Sequence, residues 1–302
     1  MRPRIALSWA ATALLVALTS GCGDNSPTKP STSSSDEEQV TTTLSGAAAL
    51  ADDDLEESPI QSPASLLPTG SEPSVVAAAI TPYKWWQKIT DETRHWSFAF
   101  SDTDSTGHPS LCLATLTKHL TGALVIVPAS DTLTKIEKPL DKTLTRVVKL
   151  QRLSFGRSRA WKVVGVTGAV VTTPSPNNTT HIVSVRFVAT GVDTTITDPQ
   201  QFFTLRNIIR FAPGDSVHLT VTTTRTDDPV FVHLNAVYRW RLRNNLDGTY
   251  STEWRTSALA GWRHMAVQAM THDSIYDDSA AFDTQSWHLP FRVTQEDVDF
   301  YP

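Results

Sequence analysis

The chain has 302 residues, of which 40% are hydrophobic and 19% are charged, and its formal net charge is −5 at pH 7. The charge is uneven: ten acidic residues and one lysine lie within 23–82, whereas 83–302 holds 23 basic and 21 acidic residues. A nucleic-acid-binding domain carries a strong basic excess, so the near-neutral second part argues against nucleic acid as a partner. The length allows two domains.

The first 22 residues have the layout of an export signal. A basic start is followed by an uncharged, mostly apolar stretch and then by Leu18-Thr19-Ser20-Gly21-Cys22. This ending resembles the bacterial lipoprotein signal. The resemblance implies a signal peptide over 1–21, acylation of Cys22 and a lipid anchor in the bacterial cell envelope. Because Gly23 rather than Asp follows the cysteine, the outer membrane is favoured over the inner one.

An ordinary secretory signal and a single transmembrane helix are the alternatives at this end of the chain. The apolar run is shorter than the ~20 residues that a membrane span needs. Beyond it, residues 22–80 contain no Phe, Tyr or Trp and are rich in Ser, Thr, Pro, Ala, Asp and Glu. Such a segment buries too little apolar surface to offset the entropy of ordering its backbone, so we expect a disordered acidic tether over 22–80.

The first folded segment, 81–173, begins where aromatic residues appear. A proline in a first turn, followed by apolar residues, predicts a short helix over 82–89. Strands are predicted from alternating apolar and polar residues at 95–100, 111–119, 123–127, 146–153 and 161–166. A helix followed by a curved antiparallel sheet is similar to the cystatin-like or nuclear-transport-factor-like α+β group. A plain β-meander is the alternative for this small domain.

The cluster Pro174-Ser175-Pro176-Asn177-Asn178 predicts the start of a second domain, 174–302. A helix is predicted over 198–209, with Asp198 as its N-cap and Pro199 in its first turn. A hairpin connection is predicted over 244–248. Strands are predicted from the same alternation at 181–188, 216–223, 238–242, 250–254, 265–269 and 287–293.

Three short motifs in the second domain resemble those of bacterial immunoglobulin-like domains. They are Pro213-Gly214-Asp215 before a strand, Gly248-Thr249-Tyr250 after a hairpin, and Gly261-Trp262 before a late strand. The resemblance covers 181–294 and implies a β-sandwich. The predicted fold class is therefore mainly β, with an antiparallel α+β or small β domain ahead of an immunoglobulin-like sandwich.

No motif in the sequence identifies a reaction. Nucleophile elbows, phosphate loops, dinucleotide fingerprints and HExxH zinc motifs are absent. The acidic turn at 102–107 is similar to the start of a calcium loop, but Leu113 stands where a bidentate Glu is needed. We therefore predict no catalytic residue, no metal site and no cofactor. Cys112 has no intramolecular partner if Cys22 is acylated, and we expect it to be a small core residue.

Two groups of side chains are candidates for binding. Arg239, Arg241 and Arg243 form a one-sided basic stripe. It is either a solvated strand face or a site for an anionic ligand, such as a polyanionic glycan or a carboxylate-rich protein. Four tryptophans either pack in the core or provide stacking platforms for carbohydrate: Trp85, Trp86, Trp254 and Trp262.

These observations favour a membrane-anchored envelope lipoprotein with a non-enzymatic binding or scaffolding role. A carbohydrate-binding surface module is the first alternative. The second is a small hydrolase or isomerase on 81–173, where Asp91, Glu92 and His95 would lie nearest the predicted helix.

Overall fold

The structure, a computed structural model, describes residues 36–47, 50, 55, 80–103, 108–130, 134–155, 158–204, 207–234 and 238–294. All of these residues belong to one compact unit, Asp36–Pro302. The predicted signal peptide, Cys22, most of the predicted tether and residues 104–107 of the acidic turn lie outside the described residues.

Two helices are described, α1 (Asp36–Ser45) and α2 (His272–Tyr276), and the other regular elements are strands. The strands are β1 (Pro82–Thr103), β2 (Pro109–Pro128), β3 (Ile136–Phe155), β4 (Ser158–Thr167), β5 (Ala169–Thr172), β6 (Ile182–Ala189), β7 (Val192–Ile196), β8 (Phe202–Thr204), β9 (Ile209–Phe211), β10 (Ser216–Thr223), β11 (Val230–Leu234), β12 (Tyr238–Arg241), β13 (Arg243–Asn244), β14 (Thr249–Arg255), β15 (Gly261–Met270) and β16 (Thr284–Val293).

The strands form two sheets. The large sheet has the order β1-β2-β3-β5-β16-β15-β11-β12, with β4 beside β3, β8 beside β4 and β9 beside β16. The small sheet has the order β13-β14-β10-β6-β7. The predicted mainly β, antiparallel class is confirmed. Strands from both sides of residue 174 share the large sheet, since β5 pairs with β3 and with β16.

A ten-residue helix lies inside the segment that we expected to be a tether. Acidic residues fill the first turn of α1, where the helix dipole favours negative charge. Val40 and Leu44 lie one turn apart and are buried in a cluster with Cys112 of β2. Asp36 forms an ion pair with Arg152 of β3. Packing on the sheet therefore orders a stretch whose composition alone predicts no structure.

The helix predicted over 82–89 is wrong, because this segment is the first part of β1. β1 pairs with β2 along nearly its whole length, from Pro82 opposite Pro128 to Thr103 opposite Pro109. This pairing satisfies far more backbone groups than one short helix could.

The helix predicted over 198–209 is also wrong. Asp198 Oδ1 accepts a hydrogen bond from the Gln200 backbone N–H at 2.8 Å, which makes a local turn instead of a helix cap. β8 and β9 follow in the same stretch. β9 then pairs in parallel with β16, with Ile209 opposite Phe291.

The large sheet curls so that its first strand meets its last two. The β1–β2 register shifts between residues 89 and 91, and Gly122 lies opposite this bulge. A Cβ on Gly122 would overlap the Lys88 carbonyl oxygen, so glycine permits the close approach that the bend needs. Beyond the bend, the rings of Trp85 in β1 and Phe231 in β11 are 5.0 Å apart. We call the enclosed side of the large sheet the concave face.

Apolar clusters pack on both faces of the large sheet. The cluster between the two sheets, which we call the sandwich core, includes Phe187 and Val217 from the small sheet and Val267 and Trp287 from the large one. Two further clusters lie at opposite ends of the concave face. One contains Ile80, Leu140 and Ile275, and the other contains Val40, Val148 and Leu150.

Candidate functional site

A belt of polar side chains crosses the concave face between its two apolar ends. Strand register places members on the same side, since His288 lies opposite Ala266, Ala266 opposite His233, and His233 opposite Arg239. Burial of such groups is costly unless they find partners. The polar belt consists of Gln87, Lys118, Lys142, Arg146, His233, Arg239, Gln268, Ser286 and His288.

Three cations of this belt, which we call the basic row, are almost inaccessible to solvent. Lys142 is 0% exposed, Arg146 1% and Lys118 3%. Lys142 and Arg146 lie on β3 on either side of Leu144, and Leu144 is the register partner of Lys118 on β2. Lys118 is therefore a diagonal neighbour of both, at the ~7–8 Å typical of such pairs. Glu92 supplies one carboxylate, with its Oε1 3.6 Å from Lys118 Nζ.

Several buried polar atoms of the belt have unused hydrogen-bonding capacity. Lys142 Nζ donates to Gln87 Oε1, which leaves the amide nitrogen of Gln87 for another acceptor. Buried side-chain atoms on the concave face without a hydrogen-bond partner among the described residues include Gln87 Nε2, Trp85 Nε1, Gln268 Oε1 and Ser286 Oγ. Because buried polar groups nearly always have partners, these atoms mark the concave face as a place where a further polar group can bind.

Arg239 links the two edges of the curled sheet. Its guanidinium carbon lies 4.8 Å from the centroid of the Trp85 ring, a cation–π contact between β12 and β1. Its Nε donates to His233 Nδ1 at 3.2 Å, so Nδ1 of that imidazole acts as the acceptor. Arg239 thus supports the curvature that creates the concave face.

Lys138 fixes α2 over one end of the concave face. Its Nζ donates to the carbonyl oxygens of Asp273 at 3.2 Å and Ser274 at 2.8 Å, and also to that of Asp277. Burial lowers the pKa of Lys138, while the nearby aspartates oppose this effect. These bonds hold the end of α2, where the Asp273 carbonyl also accepts the Asp277 backbone N–H at 3.1 Å.

The structure does not bring the three predicted arginines together. Arg239 is buried in the concave face, and Arg241 of the same strand donates from Nη1 to Tyr276 Oη at 3.3 Å. The chain then changes sheets, and Arg243 lies exposed on β13 of the small sheet. Arg239 and Arg241 share a face, but the predicted stripe does not extend to Arg243.

The sequence predicted β3 only from Arg146 onward and gave no sign of the basic row. Lys138, Leu140, Lys142 and Leu144 stand at every second position before Arg146, so they continue the strand and share one of its sides. A side that mixes lysine with leucine does not predict complete burial, because lysine is almost never fully buried unless it is paired.

A second candidate site is an open pocket of about 240 Å³ at the edge of the sandwich. No lining residue carries a carboxylate and two carry guanidinium groups, so the pocket favours an anionic group. Indole rings and hydroxyl groups complete its wall. The lining residues are Leu234, Trp240, Trp254, Arg255, Thr256, Ser257, Arg263 and Phe291.

The pocket wall is held by contacts within the sandwich. Arg263 donates to the backbone oxygens of Trp262 at 2.7 Å and Leu259 at 3.0 Å, which fixes the loop before β15. Trp240 Nε1 donates to Thr252 Oγ1 at 3.1 Å and orients its ring. Arg255 is exposed at the end of β14, so its guanidinium is accessible to a ligand.

A buried carboxylate lies outside both sites. Asp228 is 0% exposed, and its Oδ1 accepts hydrogen bonds from Arg225 Nε and the His272 backbone N–H, both at 3.1 Å. Burial raises the pKa of Asp228 despite these bonds. The carboxylate joins the start of α2 to the turn before β11, which is a structural role.

The remaining candidates from the sequence are dispersed. Trp85 is fully buried, so it offers no surface for a sugar, whereas Trp254 lines the pocket. Asp91, Glu92 and His95 lie exposed on β1. In the described ranges, no group of three or more His, Cys, Asp or Glu residues is arranged to hold a metal ion.

Comparisons with family models, with curated proteins and with solved structures found no match for this chain. No helix among the described residues combines the length and the apolar character that a bilayer span requires.

Proposed function

We propose that this protein is a non-enzymatic, lipid-anchored protein of the bacterial cell envelope that binds an acidic glycan in the pocket of its sandwich. The pocket carries the proposal, because it combines two guanidinium groups with two indole rings and has no carboxylate in its wall. The immunoglobulin-like assignment of 181–294 is part of this proposal and is supported by the packing of the two sheets against each other.

The pocket chemistry favours a carboxylated sugar over a neutral one. A volume of about 240 Å³ is below the ~300–1,000 Å³ of pockets for drug-sized ligands, so it suits one unit of a longer chain. Arg255 can bind the carboxylate, and the rings of Trp240 and Trp254 can contact the apolar side of a sugar ring. The exposed hydroxyl group of Ser257 adds a polar partner at the rim.

Binding is tested by calorimetric titration with oligogalacturonate and with its neutral methyl ester. The acidic ligand should bind and the ester should bind weakly. Arg255→Gln should raise Kd about ten- to a hundredfold, since charge-assisted hydrogen bonds contribute ~1.5–3 kcal/mol. Arg243→Gln is the matched control, an exposed arginine in another part of the small sheet. Equal affinity for both oligosaccharides, or binding only of a poly-glutamate peptide, would contradict the glycan assignment.

The anchor rests on the sequence around Cys22. Metabolic labelling with palmitate should mark the expressed full-length chain. The Cys22→Ala variant should lose the label and leave the membrane fraction, while Cys112→Ala, the matched control, should keep both. Label that persists in Cys22→Ala would overturn the anchor without affecting the pocket.

A further inference from the structure

β1 presents an open edge to solvent. It is the first strand in the order of the large sheet, and β2 is its only partner among the described strands. Beyond the bulge, residues 91–103 of β1 pair with β2 without a further shift in register. Residues 90–95 are all exposed, although they point to both sides of the strand. The backbone groups that point away from β2 are a template for one more strand.

A row of aromatic side chains follows this edge. Trp96, Phe98 and Phe100 stand at every second position, and neighbouring ring centroids are 6.5 and 6.4 Å apart. The rings pack against the apolar cluster that contains Val148, but they are only partly buried. The small residues between them, Ser97 and Ala99, are exposed on the other side of the strand. Contact with further apolar groups would remove the remaining aromatic surface from water.

A second copy of β1 complements this row. Two copies can pair antiparallel about a twofold axis perpendicular to the sheet, which keeps equal faces on the same side. In the register centred on Phe98, Trp96 lies opposite Phe100 of the second copy and Phe98 lies opposite itself. Six rings then form one continuous layer. On the other side Ser97 lies opposite Ala99, and these residues are too small to obstruct the pairing.

Charged residues favour the same register. It places Arg94 opposite Asp102 at both ends of the pairing, and opposite charges at such positions stabilise a sheet. Arg94 Nη2 already lies 3.0 Å from Glu92 Oε1, but a guanidinium has five donors and can bind both carboxylates. A shift of two residues in one direction would place Glu92 opposite Asp102, and in the other direction it would place Trp96 opposite Asp102. Both shifted registers are therefore unfavourable.

We propose that β1 is the interface of a twofold-symmetric dimer, in which two copies of this chain join their large sheets edge to edge. The pairing covers residues 94–102 of each copy. Nine residues exceed the 5–6 of a typical strand, so the ladder is long enough to add to the contact between the rings. The dimer is independent of the glycan pocket, because no residue of the pocket lies on β1.

Sedimentation equilibrium of the Cys22→Ala chain, which carries no lipid, tests the dimer. This chain should have twice the mass of a single copy, in a fraction that rises with concentration. Ser97→Lys together with Ala99→Lys should halve the mass, because each new lysine then lies opposite another one. The mass of one copy at every concentration of the Cys22→Ala chain would overturn the proposal.

The matched control for the lysine pair is Thr195→Lys together with Val183→Lys, at exposed positions of the small sheet. These substitutions add the same charge and should leave the dimer intact. A dimer that persists in the β1 lysine variant would show that the copies associate elsewhere, and this result would also overturn the proposal.

Disulfide formation tests the register. In the Cys22→Ala background, His95→Cys and Ser101→Cys alter exposed positions that lie opposite each other across the two copies. Their Cα atoms would be ~4.5–5.5 Å apart, which a disulfide can bridge. A mixture of the two variants should therefore cross-link on mild oxidation. Each variant alone should not, since copies of one position are six residues or ~20 Å apart. Failure of the mixture, or equal cross-linking of either variant alone, would overturn this register.

The ion pairs at the two ends have a separate test. Asp102→Asn should raise the Kd of the dimer about fivefold, because one pair with Arg94 is lost at each end. Added salt should weaken the dimer of the Cys22→Ala chain more than that of the Asp102→Asn variant in the same background. Asp278→Asn, at an exposed position outside β1, is the control and should change neither result. An Asp102→Asn dimer as tight as the control would contradict the pairing of Arg94 with Asp102.

Discussion

The three strands β11, β15 and β16 bury most of both faces, but the two faces have opposite chemistry. The face toward the small sheet is apolar, with Val232, Val267 and Trp287 in the sandwich core. The concave face of the same strands carries His233 and His288 in equally buried positions. The comparison shows that burial and hydrophobicity are separate properties of a strand face. Polar groups on a buried face need hydrogen-bonding or charged partners, and the identity of those partners indicates the function of the face.

Phe211→Ala should have the largest effect, because it removes an aromatic ring from the centre of the sandwich core. The Phe211 ring lies 5.5 Å from that of Phe291 and 6.3 Å from that of Trp254, both edge-on. Large-to-small substitutions of buried aromatic residues cost about 3–5 kcal/mol. Urea unfolding measures the loss. Leu259→Ala, at a 73% exposed position, is the control and should stay within about 0.5 kcal/mol of wild type.

Lys142→Met extends the comparison to the concave face, where the expected loss is smaller. Gln87 Oε1 loses its donor, and an unsatisfied buried acceptor costs about 1–3 kcal/mol. Adding Gln87→Leu should recover part of that loss, since both partners are then apolar. Lys88→Met is the control for the lysine side chain. A Lys142→Met chain as stable as this control in urea unfolding would mean that the concave face tolerates apolar residues as freely as the sandwich core.

The same comparison explains what the sequence could predict. In β16, Trp287, Leu289 and Phe291 alternate with polar residues, and this pattern correctly predicted a strand and its sandwich face. The side opposite a buried apolar row is often solvated in an antiparallel sheet, but His288 on that side of β16 is 0% exposed. Nothing local to β16 encodes the curl of the sheet, which depends on the bulge in β1 and on Gly122, more than 160 positions away.

The basic row was hidden for a related reason. Lysines and leucines share one side of β3, a mixture that does not mark the side as buried, and the burial of Lys142 comes from the whole curled sheet. The helix error at 82–89 has a similar origin, since pairing with β2 decides the conformation of residues that tolerate both states. The pocket joins residues from five strands and from the loop after β14, and such a set has no sequence signature.

Asp228 is a buried group outside the two strand faces, and it is tested by measuring the free energy of unfolding as a function of pH. Burial raises the pKa of Asp228, so the native state holds this proton more tightly than the unfolded chain does. The free energy of unfolding therefore falls as the pH rises from the ordinary value of ~3.9 through the raised one. Asp228→Asn cannot lose a proton and should flatten this slope in urea unfolding at several pH values. Asp278→Asn, an exposed control, should leave the slope unchanged.

The smallest effect is expected for Cys112. The reactivity of its thiol shows whether α1 covers the apolar end of the concave face. Burial, aided by Glu37, raises the pKa of the Cys112 thiol to about 11. At pH 8 about 0.1% of it is then thiolate, so a Cys22→Ala chain should react with a disulfide reagent only very slowly. Adding Val40→Asp should loosen α1 from the cluster and speed the reaction, while Thr42→Asp on the exposed side of α1 should not. Rapid reaction of Cys112 in the Cys22→Ala chain without a further substitution would show that α1 does not cover this end of the concave face.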